Sequence, residues 1–205
     1  MSVYLNDGEI LVDLPHDAAT AARVVCIEGS VDLWNYAHPL LALTEIGGSA
    51  FLRGYSHALT ALTEIGGWAF LRGYAHELPA LTRIGESVNL RGYAHALPSL
   101  TAIGWDADLR DYAHALPALR EIGGRALLHG YAHTPAWIGY VGDDRRGYSF
   151  WADLARGRVR AGCRNFTPEE ALAHWGPGGP SDRPDCFALA QKAIALLERS
   201  KEERS

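Results

Sequence analysis

The chain has only three cysteines, Cys26, Cys163 and Cys186, odd in number and far apart. That excludes a disulfide framework, and the absence of C-x-x-C spacing argues against a zinc ribbon; a reducing compartment fits. No basic region followed by an apolar run opens the sequence, so no signal peptide is expected. No apolar stretch approaches the ~20 residues that a membrane helix needs. The net charge of −5 is small, which weighs against a dedicated nucleic-acid binder and against an acidic nucleic-acid mimic. There is no phosphate-cradling glycine loop, no nucleophile elbow and no paired-carboxylate motif. A cytoplasmic, soluble protein without cofactor or metal is expected.

A 19-residue period is present instead. Tyrosine recurs at Tyr36, Tyr55, Tyr74, Tyr93, Tyr112 and Tyr131, and histidine two places later at His38, His57, His76, His95, His114 and His133. Strict periodicity without insertions marks an array of one stacked unit. Hydrophobic residues make up 48% of the chain, enough for a shared core. The apolar columns are Leu43/62/81/100/119, Ile46/65/84/103/122, Val31/Ala50/Ala69/Val88/Ala107/Ala126 and Leu33/52/71/90/109/128. The last two are separated by a step of two, which is strand periodicity with both side chains inward. A glycine column, Gly47, Gly66, Gly85, Gly104 and Gly123, is expected to close each bend with positive φ. Pro79, Pro98 and Pro117 stiffen the return path.

Each unit thus reads as one short strand, a turn and an extended or 3₁₀-like return, stacked in parallel at about 4.8 Å. Nineteen residues cannot hold two full helices, which excludes ankyrin-type and tetratricopeptide arrays. The expected fold is mainly β: a parallel β-solenoid of about six coils over residues 31–138. Residues 1–30 form an N-terminal cap, with a hairpin or two edge strands around Asn6-Asp7-Gly8. Residues 139–205 form a C-terminal ββαα capping unit. Its strands are expected at 148–154 and 159–163. One helix is expected from the capping signal Thr167-Pro168-Glu169-Glu170 to about Trp175, and a second over 186–199, with a frayed tail over 200–205.

The pattern Leu-x-x-Leu-Thr-x-Ile-Gly-Gly-x-Ala-x-Leu-x-Gly resembles a shortened bacterial and receptor-L-domain-like leucine-rich repeat. It covers about half the chain. The asparagine that usually follows the strand is Gly54, Gly73, Gly92 or Gly130 here, with Asn35 and Asp111 as exceptions, so a parallel β-helix variant stays open. The whole chain is also similar to uncharacterised repeat proteins of phages and prophages. In those, such arrays run into a segment like the one from Ala161 to Trp175. That resemblance implies a phage origin and the cytoplasm of a bacterial host.

Several features could carry function. The column after each strand leucine is Trp34, Arg53, Arg72, Arg91, Arg110 and His129, and two residues earlier stand Phe51 and Phe70. Adjacent arginines repel one another, and arginine with aromatics is the composition of binding surfaces. The expected role is a partner-binding face for an acidic protein surface. Nucleic acid is disfavoured because residues 1–138 carry 8 Lys/Arg against 14 Asp/Glu. The Tyr and His columns (Tyr55, His57, Tyr74, His76, Tyr93, His95, Tyr112, His114) read as a structural ladder rather than a metal site, because metal ligands converge on a point. If those imidazoles are enclosed, acidification should weaken the fold.

Arg156, Arg158 and Arg160 alternate along one C-terminal strand face, forming a secondary basic patch or simply a solvated face. Cys163, His174 and Cys186 could be imagined as a thiol–imidazole pair, but their spacing has no metal or catalytic signature. The sequence therefore points to a non-enzymatic, phage-encoded protein that binds, and by occlusion inhibits, a host protein complex. The alternatives are a homo-oligomeric structural part, and an enzyme or nucleic-acid binder built on the C-terminal unit.

Overall fold

The computed structural model describes residues 1–203. The repeat forms a parallel β-solenoid, but each coil contributes two strands rather than the single one expected. One sheet stacks Val24–Glu28, Glu45–Ile46, Glu64–Ile65, Arg83–Ile84, Ala102–Ile103 and Glu121–Ile122. The other stacks Val31–Asp32, Ala50–Phe51, Ala69–Phe70, Val88–Asn89, Ala107–Asp108 and Ala126–Leu127. The register never slips: Ile27, Ile46, Ile65, Ile84, Ile103 and Ile122 pair in line along the first sheet. Six strands per sheet give five steps of the repeat. The two-residue strands of the first sheet were not expected because each buries a single isoleucine per coil, which shows no alternation.

Every apolar column identified in the sequence is buried, together with a further one, Leu40, Leu59, Leu78, Leu97 and Leu116. Each buried leucine contributes about 1.5–3 kcal/mol of transfer free energy. No coil can bury these side chains alone, so stability is shared through stacking.

The two glycine columns do different jobs from those the sequence suggested. Gly66, Gly85, Gly104 and Gly123 do not have positive φ. A methyl group built on any of them would land on the carbonyl oxygen of the equivalent glycine one coil earlier. They are glycine because the coils touch backbone to backbone there. Positive φ belongs to the column after the arginine, with Gly54 at 74°, Gly73 at 77° and Gly92 at 74°. These glycines hold a tight turn: the Tyr55 N–H donates to the Leu52 carbonyl at 3.1 Å, with Arg53 and Gly54 between. Left-handed backbone at the third turn position favours Gly, then Asn or Asp. Asn35 (φ 59°) and Asp111 (φ 57°) are the two non-glycine residues with positive φ among those described. That accounts for the Gly/Asn/Asp column without an asparagine ladder. Pro79 occupies the first central position of the opposite turn, where the Leu81 N–H donates to the Leu78 carbonyl at 3.2 Å.

Both ends are covered. Ser2–Leu5 pairs antiparallel with Ile10–Leu11 and with Val24–Glu28, closing the first sheet, and a short helix, Ala18–Ala21, is N-capped by Asp17. The C-terminal unit has four antiparallel strands, not two: Ile138–Asp143, Ser149–Asp153, Arg158–Ala161 and Arg164–Phe166. The first carries two glycines, Gly139 and Gly142, and the last is three residues long, so neither shows strand patterning. Helices Pro168–Trp175 and Pro184–Glu202 follow. The Thr167–Glu170 capping box is formed as expected. The second helix runs into the segment expected to fray; Arg204 and Ser205 lie outside the described residues.

Arg160 fastens this unit to the array. It is only 4% exposed, and its guanidinium donates to the Ile122, Gly123 and Gly124 carbonyls at the open corner of the last coil (3.3, 2.8 and 2.5 Å). It also lies over the buried Trp151 ring, 5.1 Å from its centroid. Ser149 Oγ accepts the Leu128 N–H at 2.9 Å, and Trp137 Nε1 donates to the Leu119 carbonyl at 2.7 Å. The cap thus bonds several of the carbonyls and an amide that would otherwise face a further coil.

Candidate functional site

Alternate residues of the second sheet and the turn after it point outward. In one coil these are Trp68, Phe70 and Arg72; in the preceding coil they are Ser49, Phe51 and Arg53. Parallel register lays Phe51 on Phe70, with ring centroids 4.4 Å apart and planes 8° from parallel. Trp68 extends the stack, 5.8 Å from Phe70 with its plane 11° from parallel. Phe51, Phe70 and Trp68 remain 40%, 36% and 46% exposed. Trp68 was not singled out from the sequence. The available signal was its parity with Phe70 and Arg72, since a step of two keeps side chains on one face.

The arginine column is not uniform. Arg53 and Arg72 make no ion pair among the described residues, and their stems lie against Gly73 and Gly92 of the next coil. Arg91 approaches Asp111 at 3.8 Å. Arg110 is neutralised by a two-pronged contact with Asp108, at 2.9 and 2.7 Å. Burial raises the Asp108 carboxyl, but the Arg110 hydrogen bonds outweigh it and hold the group below the usual range. The free cations therefore sit at the two coils that carry the phenylalanines. Elsewhere in the aromatic column Asp32, Asn89 and Asp108 accept the backbone N–H two residues on, bracing the turn locally. Trp34, at the array's start, is exposed and overlies Gly54.

The Tyr–His columns are a staple, and only half of it is enclosed. Tyr55 donates its hydroxyl to the His38 carbonyl and accepts the Leu40 N–H, at 3.0 and 3.1 Å. Tyr74 repeats this on His57 and Leu59. Tyr93 and Tyr112 donate to the His76 and His95 carbonyls. Burial pushes the Tyr55 phenol up to about 12 and those of Tyr74, Tyr93 and Tyr112 further still. The histidines lean edge-on against their own tyrosines at about 5.6 Å, as Tyr74–His76 shows. Their Nε2 atoms bond carbonyls of the preceding coil: His57 to Ala37, His76 to Ser56 and His114 to Ala94. The rings are only partly buried, His95 included. An enclosed imidazole stack is not formed, and the expected acid sensitivity loses its basis. No cluster of metal-ligating side chains exists among the described residues.

The secondary basic patch does not form as an open surface. Arg160 is inside, as described. Arg158 bonds Asn165 and approaches Glu170 at 3.7 Å. Arg156 lies beyond the strand, near Asp153 and Glu121. Cys163, His174 and Cys186 do line one cleft. His174 packs on Phe166 and Trp175, and no hydrogen bond joins it to either thiol among the described residues. Burial pushes the Cys186 thiol up to about 11, the opposite of an activated nucleophile. No described helix is long and apolar enough to cross a membrane. The chain matches no protein-family model, no curated protein and no solved structure.

Proposed function

We propose that this is a non-enzymatic binding protein that engages an acidic protein surface through the second-sheet face. The observation that carries this reading is the exposed stack of Phe51 and Phe70, flanked by Trp68, beside Arg53 and Arg72, two cations with no ion-pair partner among the described residues. The Phe51–Phe70 stack adds about 0.5–1.5 kcal/mol between adjacent coils, and the three rings, left 36–46% exposed, also supply contact area at little entropic cost on docking. The two guanidinium groups would steer an acidic partner and fix its register. The similarity to phage repeat proteins suggests a bacterial host protein complex as the partner, in the host cytoplasm, with inhibition by occlusion.

Affinity capture from bacterial lysate tests this reading, comparing the native protein with Arg53→Glu/Arg72→Glu and with Phe51→Ser/Phe70→Ser. A partner retained by the native protein and lost by both variants, each still melting cooperatively with native far-UV circular dichroism, supports it. Capture that survives both variants removes the face from consideration. Light scattering separates the homo-oligomer reading: a stable dimer dissolved by the same substitutions would make a second copy the occupant of this face.

A further inference from the structure

A cleft of about 360 Å³ opens where the C-terminal unit meets the last coils. That volume suits a small ligand. Its charge is lopsided: Arg125, Arg146, Arg164 and Arg183 line it against Asp106 and Asp144. Both carboxylates are already committed. Asp106 pairs with the Arg125 guanidinium at 2.9 Å and accepts the Arg125 N–H at 2.7 Å. Asp144 is buried; it accepts the Arg146 and Tyr148 N–H groups at 2.8 and 2.9 Å and pairs with Arg183 at 3.2 Å. The guanidinium groups of Arg146 and Arg164 meet no acid among the described residues, and both side chains are exposed.

Two uncommitted guanidinium groups at one cleft match a dianion. Their planar forks suit phosphate oxygens better than a point charge would. Tyr148, Phe150 and Trp175 also line it, among small residues such as Ala161, Gly162 and Ser181. Phe150 and Trp175 pack against each other at 5.0 Å and are almost wholly buried. Tyr148 is 39% exposed, and the Arg125 guanidinium lies over one face of its ring, 5.9 Å from the centroid, so a ligand ring would stack on the other face. We propose that this cleft binds a phosphate monoester that also bears a planar ring, as a nucleoside monophosphate does. Arg146 and Arg164 hold the dianion, and Tyr148 stacks on the ring. The site is separate from the strand face and does not depend on it.

Isothermal titration calorimetry of the full chain with AMP, inorganic phosphate and adenosine tests this. AMP should bind with submillimolar affinity, inorganic phosphate at least about tenfold more weakly, and adenosine not measurably. Arg146→Ala/Arg164→Ala should weaken AMP by at least about tenfold, with Arg146→Lys/Arg164→Lys intermediate because charge remains without the fork. Tyr148→Ala should weaken AMP and leave phosphate unchanged. Arg53→Glu/Arg72→Glu, on the other face, should leave AMP binding intact. No AMP binding at millimolar concentration, or binding indifferent to the Arg146 and Arg164 substitutions, overturns the site. Phosphate binding as tight as AMP overturns the ring.

Discussion

Alanine at Gly85 and alanine at Gly92 test the two reasons for glycine in this repeat. The Gly85 N–H donates to the Ile65 carbonyl at 2.7 Å, and an added methyl would fall on the Gly66 carbonyl oxygen. That obstacle is backbone, held in register by neighbouring coils on both sides, so relief requires separating two coils. Overpacking of this kind costs about 3 kcal/mol. At Gly92 the nearest atom to an added methyl is Arg72 Cγ at 4.0 Å, so no clash arises. The cost there is only that of placing alanine at φ 74°, about 1–2 kcal/mol. Asparagine at Gly92 should cost less still, because Asn35 already adopts this conformation. For a chain of this length ~3 kcal/mol lowers the melting temperature by roughly 6–12 °C, and ~1 kcal/mol by roughly 2–4 °C. Urea midpoints, with the slope checked for constancy, give the same ranking independently. If Gly85→Ala is no worse than Gly92→Ala, coil-to-coil backbone contact is not why that column is glycine, and the stacking described above is wrong.

The remaining predictions concern the staple and the cap. Tyr74→Phe removes the hydroxyl that serves both the His57 carbonyl and the Leu59 N–H. Leaving a buried amide unbonded should cost about 1–3 kcal/mol in chemical denaturation. Arg160→Met strips the bonds to the Gly123 and Gly124 carbonyls and should cost about 2–4 kcal/mol, while leaving far-UV circular dichroism native. The folded tyrosines are harder to ionise than unfolded ones, whose pKa is near 10. Stability should therefore be level below pH 10 and fall between 10 and 12, the value to which Tyr55 and Tyr131 are pushed. Ionisation of the column tyrosines should accompany unfolding, and phenolate absorbance in the folded protein at pH 10 too large for the tyrosines outside the column would show that the column is open to water.

The period was legible because the Tyr and His positions recur six times without an insertion, and with it came the solenoid, the buried leucines and the outward arginines. The two-residue strands of the first sheet were not legible, since each buries one isoleucine, whereas Ala50 and Leu52 stand a step of two apart and announced the second sheet. Glycine is ambiguous by nature: Gly66 and Gly54 look alike in sequence, yet one is excluded volume and the other is backbone conformation. The unequal arginines were also hidden. Asp108 lies two residues from Arg110 and neutralises it, while Phe51 and Phe70 occupy the same position before Arg53 and Arg72. Arg160 gave no sign of burial, because only the open corner of the last coil supplies its carbonyls.

The strand face is tested most directly by the affinity of a captured partner, measured at low and moderate salt for the native protein and for Arg53→Glu/Arg72→Glu. Two charge reversals beside the aromatic platform should weaken binding by about 2 kcal/mol or more, roughly thirtyfold. Affinity of the native protein should fall as salt rises, and that slope should flatten in the variant. Equal affinity and equal salt dependence for the two proteins would contradict the account.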